Sequence, residues 1–482
     1  MSNILFVKTF VDSGTGASLP ETDLFIAASF IELKYPGVYQ YTFFNSGYDY
    51  ENDEKFLRLI KDRNVDIVLF SANVWEAELL HKFAGLVKLA GKDITVAVSG
   101  QLASIVKERL LQDFNIDIVV YGESYVSFCE VADSLNKKAK ISAIEGICFR
   151  KGKDFIKNPE RPLYDNVDDF VIADKIWNSV DVKKYSRYQG WNGINKENFY
   201  MPVSASFGCP FECSYCTNRM YLGQKFRKRS VAGVAAEIKR LTEKFNVKEI
   251  HFFDAVFNFD TEWSKSILRA IIAENLQISI AFPHGLRVDR IDNEMIDLFK
   301  RSGVYKVTYA IETASMRIQK EIRKNLDLDL AKKIIKETSD KNIIVCGYFM
   351  LGFENETEEE MMQTVNYACG SDFDIASFFK YSHLYESAGR RYDSKDGGFM
   401  NFSYFSNDLN SFDSARINYF ILSGQRKFYL NFRRLFKLFL KTKRKIKFLL
   451  QTAKALIIIF QGYLLSKIYY SLNKDKKLIK NG

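Results

Sequence analysis

The stretch Ser206–Ser230, SFGCPFECSYCTNRMYLGQKFRKRS, places Cys209, Cys213 and Cys216 in a loop between a strand-like run, VSASF, and a helical stretch from Val231 to Phe245. Three thiols at C-x-x-x-C-x-x-C spacing point to a metal centre that lacks one protein ligand. A structural zinc site closes its tetrahedron with four ligands, and a ferredoxin-type four-iron site also takes four cysteines. No fourth Cys or His lies within this loop. With three ligands, one iron of a cubane cluster keeps a position open to an outside chelator. The alternative at this point is a zinc ion that borrows a distant histidine, His251, His284 or His383.

Downstream of the loop, EIHFFDA, ISIAFPHG, VYKVTYAIE, NIIVCGYFMLG and ASFFKYSHL alternate with helical stretches such as 327–341. With VSASF they make six strand–helix repeats, and residues 196–400 are expected to form a partial (β/α)6 barrel. Chemistry in such a barrel sits on the loops at the carboxyl ends of the strands. Upstream, residues 1–136 alternate short β-branched runs (NILFVKTF, VYQYTFF, DIVLFSA, ITVAVSG, DIVVYGE) with helical stretches. That pitch predicts right-handed βαβ units and a doubly wound, Rossmann-like parallel sheet, so the fold class is α/β. Ligands bind such sheets beyond the carboxyl ends of their strands. The small or polar residues there are Ser71 and Ala72, Ser99 and Gly100, and Gly122 and Glu123. No G-x-G-x-x-G follows the first strand, which argues against an ordinary dinucleotide site. Residues 137–195 read as a linker with short strands, and residues 401–482 as a basic helical tail.

Composition agrees with folded domains. The 482 residues are 47% hydrophobic and 15% aromatic with 7 Pro, which fits two or three domains. Seven cysteines, three of them crowded into eight residues, suit a reducing compartment better than a disulfide framework. MSNILFVKTF lacks the basic flank and long apolar core of a secretory signal, so cytoplasmic residence is expected. Cys129, Cys148, Cys346 and Cys369 lie apart in apolar stretches and read as packing residues. The net charge of +10 is a property of the tail: Gln425 to Gly482 holds sixteen Lys or Arg and the single acid Asp475, leaving −5 for the first 424 residues. Within the tail, Phe448 to Leu465 is interrupted by Gln451, Lys454 and Gln461. An interfacial helix touching a membrane surface fits that pattern better than a span, with a solvated bundle capping the barrel as the alternative. No nucleic-acid recognition fold accompanies the charge, so nucleic acid is not an expected partner.

The cysteine spacing followed by strand–helix repeats resembles the radical S-adenosylmethionine (SAM) superfamily over residues 200–395. The resemblance implies a [4Fe-4S] cluster on Cys209, Cys213 and Cys216 and reductive cleavage of SAM by that cluster. It further implies SAM contacts at Tyr215 before the last cysteine, at Asp254 in HFFDAVFNFD, at Glu312 in YAIETAS, and at Gly347 and Gly352 in GYFMLGFENET. Ala310 and Thr313 depart from the family pattern, and Glu354, after Phe353, stands where the family often has Pro. The amino-terminal domain resembles the cobalamin (B12)-binding domain of one subfamily, with VSGQLAS and YGESYVSF at its motif positions. That implies a corrinoid beside Ser71, Ser99, Gly100, Gly122 and Glu123. Gln101 replaces a family glycine, and D-x-H-x-x-G is absent, so no histidine ligand to cobalt is expected from that motif. The activity implied is cobalamin-dependent methyl transfer to an unactivated carbon, with flavodoxin or ferredoxin as electron donor and a small molecule, lipid or peptide as substrate. The alternatives are a radical cyclase, isomerase or oxidoreductase with a degenerate B12 domain, and an iron–sulfur electron-transfer protein without turnover.

Overall fold

A computed structural model of the chain describes residues 2–10, 21–181, 194–198, 200–381 and 414–473. His383 and most of the segment between barrel and tail lie outside these residues. In the amino-terminal sheet β1 (Ser2–Lys8), β2 (Tyr39–Asn45), β3 (Ile67–Ser71), β4 (Thr95–Ser99) and β5 (Ile118–Val120) are parallel, in the order β2-β1-β3-β4-β5. Helices cover both faces, which is why β3 and β5 are apolar and buried at every position. Lys8, Ser71 and Ser99 lie level across β1, β3 and β4, so the carboxyl ends form one flush edge. The residues expected to be a linker extend this sheet: β6 (Ile147–Lys151) and β7 (Asp154–Lys157) add an antiparallel hairpin to β5. Further on, Phe170 meets Phe30 at 5.7 Å and Phe207 at 5.2 Å between ring centres. Residues 167–180 of the expected linker therefore pack into the core between the two sheets.

The second sheet is parallel, in the order β15-β14-β13-β12-β11-β8. Its members are β8 (Met201–Val203), β11 (Glu249–Phe252), β12 (Ser279–Leu286), β13 (Val304–Glu312), β14 (Ile344–Leu351) and β15 (Ile375–Lys380). Its edges β8 and β15 do not pair with each other, so the (β/α)6 barrel is incomplete. VSASF divides: its first residue, Val203, ends β8, while β9 (Ser206–Phe207) turns away to pair antiparallel with β10 (Arg227–Lys228). That short pair clamps both ends of the cysteine loop.

Ser414–Tyr429 packs on β15 and on the Glu358–Gly370 helix. The following helix, Phe432–Lys441, inserts Leu438 beside Ile344, Cys346 and Ile375. It is pinned by Lys441 Nζ on Asp374 Oδ2 at 2.6 Å, both buried. The tail then continues as one helix, Lys445–Asn473.

Candidate active site

Within the clamp, Cys209 N donates to Gly223 O at 3.0 Å, Cys216 N to Cys213 O at 3.1 Å, and Ser214 N to Ile322 O at 3.1 Å. Gly208, at φ +82°, permits the entry to the loop: a Cβ there would stand 2.2 Å from Lys225 O. Cys213 is buried and Cys209 and Cys216 half-buried. Burial pushes the Cys216 thiol up to about 11 and raises Cys209 as well. The amides of Phe211 and Asn218, with Lys324 and Arg287, act the other way. Among the described residues no group of three or more His, Cys, Asp or Glu forms a cage for one metal ion, so no preformed zinc site stands here. Three separated thiols in a low-dielectric loop beside two cations fit a larger anionic cluster. One polar atom reinforces that fit: Arg287, stacked 4.2 Å over the Phe211 ring, has a buried Nη1 with no hydrogen-bond partner. An anion, whether cluster or SAM carboxylate, would satisfy it. Its Nε and Nη2 are held by Asp289 at 2.9 and 2.7 Å.

Tyr215 and Glu312 come together. Tyr215 Oη donates to Glu312 Oε1 at 2.9 Å, and Lys324 Nζ lies 3.3 Å from both oxygens. Glu312 ends β13 beyond a register shift and holds φ +71°, a costly conformation for a side chain other than glycine and one that concentrates at functional sites. Asp254, just past β11, accepts from Ser206 Oγ at 2.5 Å and Ala205 N at 3.3 Å. Burial raises its carboxyl to about 6. It thus fixes the strand that leads into the cysteine loop. At Gly347 the space for a Cβ is filled by Phe373, and at Gly352 by Ile417 of the Ser414–Tyr429 helix, so protein packing occupies that side of both glycines. Sequence reasoning missed Glu356, whose Oε2 accepts from Gly352 N at 2.6 Å and Phe353 N at 3.0 Å. Burial lifts its carboxyl to about 8.

Across the barrel wall, aromatic groups line up over the strand ends. Phe253 stacks on His284 at 4.5 Å, Tyr348 Oη donates to Pro283 O at 2.7 Å, and Tyr348 meets Phe379 edge-on at 5.6 Å. His284 and Phe379 keep exposed surface, whereas their strand neighbours Pro283 and Phe378 are buried.

The edge of the amino-terminal sheet abuts the cysteine loop. Gln101 Nε2, in the helix Gly100–Val106, donates to Thr217 Oγ1 at 2.8 Å, one residue beyond Cys216. Gly100, at φ +92°, lies where a Cβ would be 3.0 Å from Ala72 O, and Gly122 faces open space. Ser71 bonds Asp23, Ser99 Oγ donates to Phe70 O at 3.0 Å, and Gly122 N donates to Ser104 Oγ at 3.0 Å. Four of the five expected corrinoid positions therefore form a low rim. Glu123 instead takes Arg227 in a buried bidentate pair at 2.6 and 2.9 Å, tying this domain to β10. No signal in the sequence joins those two residues.

Residues 38–132 match the B12 binding domain and residues 203–368 the Radical SAM superfamily. Cytidylyl-2-hydroxyethylphosphonate methyltransferase of Streptomyces wedmorensis is 28% identical over 362 residues, covering 69% of this chain and 67% of that protein. The radical SAM methyltransferase TsrM of Kitasatospora setae, solved with cobalamin and a [4Fe-4S] cluster, superposes at TM-score 0.65 with 15% identity over 80% of this chain and 73% of that one. The cobalamin-dependent radical enzyme OxsB, solved with aqua-cobalamin and SAM, does so at 0.72 with 14% identity over 99% and 74%. These two likenesses show the fold: an α/β Rossmann-like domain, a partial (β/α)6 barrel and a helical tail.

Proposed function

We infer that this chain, a radical SAM protein carrying a B12-binding domain, is an enzyme that cleaves SAM and transfers a methyl group to an unactivated carbon. The observation that carries the reading is the Gln101–Thr217 bond, which sets the rim of the amino-terminal domain against the residue that follows the last cluster cysteine. A methyl carrier on that rim and SAM at the cysteine loop would share one chamber. When bound, the [4Fe-4S] cluster supplies the electron for SAM cleavage and the corrinoid supplies the methyl group. Cys209, Cys213 and Cys216 would hold the cluster. Arg287 offers its unpartnered Nη1 to an anionic group, and Glu312 with Tyr215 offers oxygen acceptors and a ring to SAM. Asp254 can accept the methionine ammonium while it steadies Ser206. Ser71, Ser99, Gly100 and Gly122 leave the corrinoid rim low, and the Glu123–Arg227 pair fixes the distance across the chamber. The aromatic wall of Phe253, His284, Tyr348 and Phe379 would exclude water from a small-molecule, lipid or peptide substrate.

An electron donor such as flavodoxin or ferredoxin completes the scheme, in a cytoplasmic enzyme with peripheral membrane contact through the tail. The test is anaerobic incubation of reconstituted protein with SAM, reductant and hydroxocobalamin. Methyl transfer predicts both 5′-deoxyadenosine and S-adenosylhomocysteine. Deoxyadenosine alone, with hydroxocobalamin present, returns the chain to the rearrangement chemistries of the same scaffold.

A further inference from the structure

Lys445–Leu472 is long and apolar enough to cross a bilayer by length and composition, with mean hydropathy 1.6. One face, however, is already taken. Tyr470 stacks on Tyr419 at 4.2 Å and donates to Glu358 Oε2 at 2.9 Å, Arg426 lies 4.3 Å over Tyr463, and Gly462 lies against Leu422. Phe448 is buried near the barrel base with Leu438. These contacts run along the helix, from its first turns to its last, and fasten it to a polar body. On the opposite face Ile446, Leu450, Ile457, Leu464, Ile468 and Leu472 recur at spacings of four or seven residues, a continuous helical stripe. Each is between 45% and 77% exposed. The preceding helix adds Phe432, Phe436 and Leu440, at 80%, 62% and 61% exposed.

Charge decides what covers this stripe. No Asp or Glu occurs from Gln425 to Asn473. Several of the bases there dock the tail: Arg434 donates to the carbonyls of Cys369, Ser371 and Phe373, and Lys441 pairs with Asp374. Arg433, Lys454 and Lys467 remain exposed, and at 3.6 residues per turn Lys454 falls on one edge of the stripe, in line with Leu472, and Lys467 beyond the other edge. Two copies meeting through this face would press like charges together. An anionic lipid surface meets both the apolar stripe and its basic borders.

We propose that the two last helices, with the Ile446–Leu472 stripe at their centre, form an in-plane platform that seats the protein on an anionic bilayer without spanning it. The inference rests on the tail contact named under the proposed function and is independent of SAM chemistry. It is tested on the full chain without SAM or reductant, by flotation with vesicles of phosphatidylcholine alone or mixed with phosphatidylglycerol. Flotation is expected with the anionic vesicles at low salt, with partial loss at high salt and release by alkaline carbonate. The triple variant Ile457→Asp, Leu464→Asp, Ile468→Asp alters only exposed positions and keeps the docked tyrosines, so its melting temperature should hold while its partition falls about tenfold or more. Lys454→Glu with Lys467→Glu should lower binding to anionic vesicles by a similar factor and leave binding to neutral ones unchanged. Absence of flotation, resistance to carbonate, or a dimer that the triple variant splits with no change in lipid binding would each overturn the platform.

Discussion

Asp254 and Glu356 are buried carboxyls raised to about 6 and about 8, and both raise the question of what they do at neutral pH. A raised carboxyl favours the folded chain while protonated. That contribution is full below the ordinary carboxylate range and is lost as pH rises through the folded value. Stability should therefore fall between about pH 4 and pH 8, below about pH 6 because of both groups and above it because of Glu356 alone. Denaturant midpoints across that window check the slope, and Glu356→Gln should flatten its upper part. Asp254→Asn separates two roles. As a ligand of the SAM ammonium its loss weakens SAM binding by about tenfold to a hundredfold, the worth of a hydrogen bond to a charged group; as a holder of Ser206 alone it changes the pH slope and leaves SAM affinity intact. Equilibrium dialysis with SAM distinguishes them. Asp254 and Glu312 were legible in the sequence as strand-end carboxylates, Glu312 closing β13 and Asp254 two residues past β11. Arg287 and Glu356 were not, because their meaning lies in an unpartnered nitrogen and in two backbone amides that only the fold brings near.

At the scale of elements, the six barrel strands were legible because parallel strands are buried on both faces and read as apolar runs of fixed pitch. The clamp around the cysteine loop was not. β9 and β10 are two residues each, and nineteen residues, irregular but for the short helix Asn218–Tyr221, separate them. Glu123 and Arg227 are likewise 104 positions apart, and a pairing at that separation leaves no local trace. Its consequence is measurable. Glu123→Ala strands a guanidinium that is 3% exposed, and removal of one partner of such a pair costs about 3 to 5 kcal/mol. Thermal unfolding should show that loss, and corrinoid retention should fall with it because the rim and the cysteine loop no longer share a fixed spacing. A variant with native melting and full corrinoid retention would make the pair a bystander.

For the whole molecule, the +10 charge pointed to a tail with a separate job, and the structure divides that job in two. Part of the charge docks the tail on the barrel base, as Lys441 does at Asp374, and part borders an exposed apolar stripe. Composition could not make that division, since it depends on which bases find acceptors after folding. At the other end of the molecule the amino-terminal domain and the barrel meet at Gln101 and Thr217. The most direct measurement is anaerobic purification of the full chain with iron, sulfide and corrinoid scored on the same sample, beside Cys209→Ala, Cys213→Ala and Cys216→Ala. The account predicts about four irons and four sulfides per chain with about one corrinoid, the iron lost in each cysteine variant and retained in Cys346→Ala and Cys369→Ala. One tightly held zinc with no iron, or iron that survives the loss of Cys213, would contradict it.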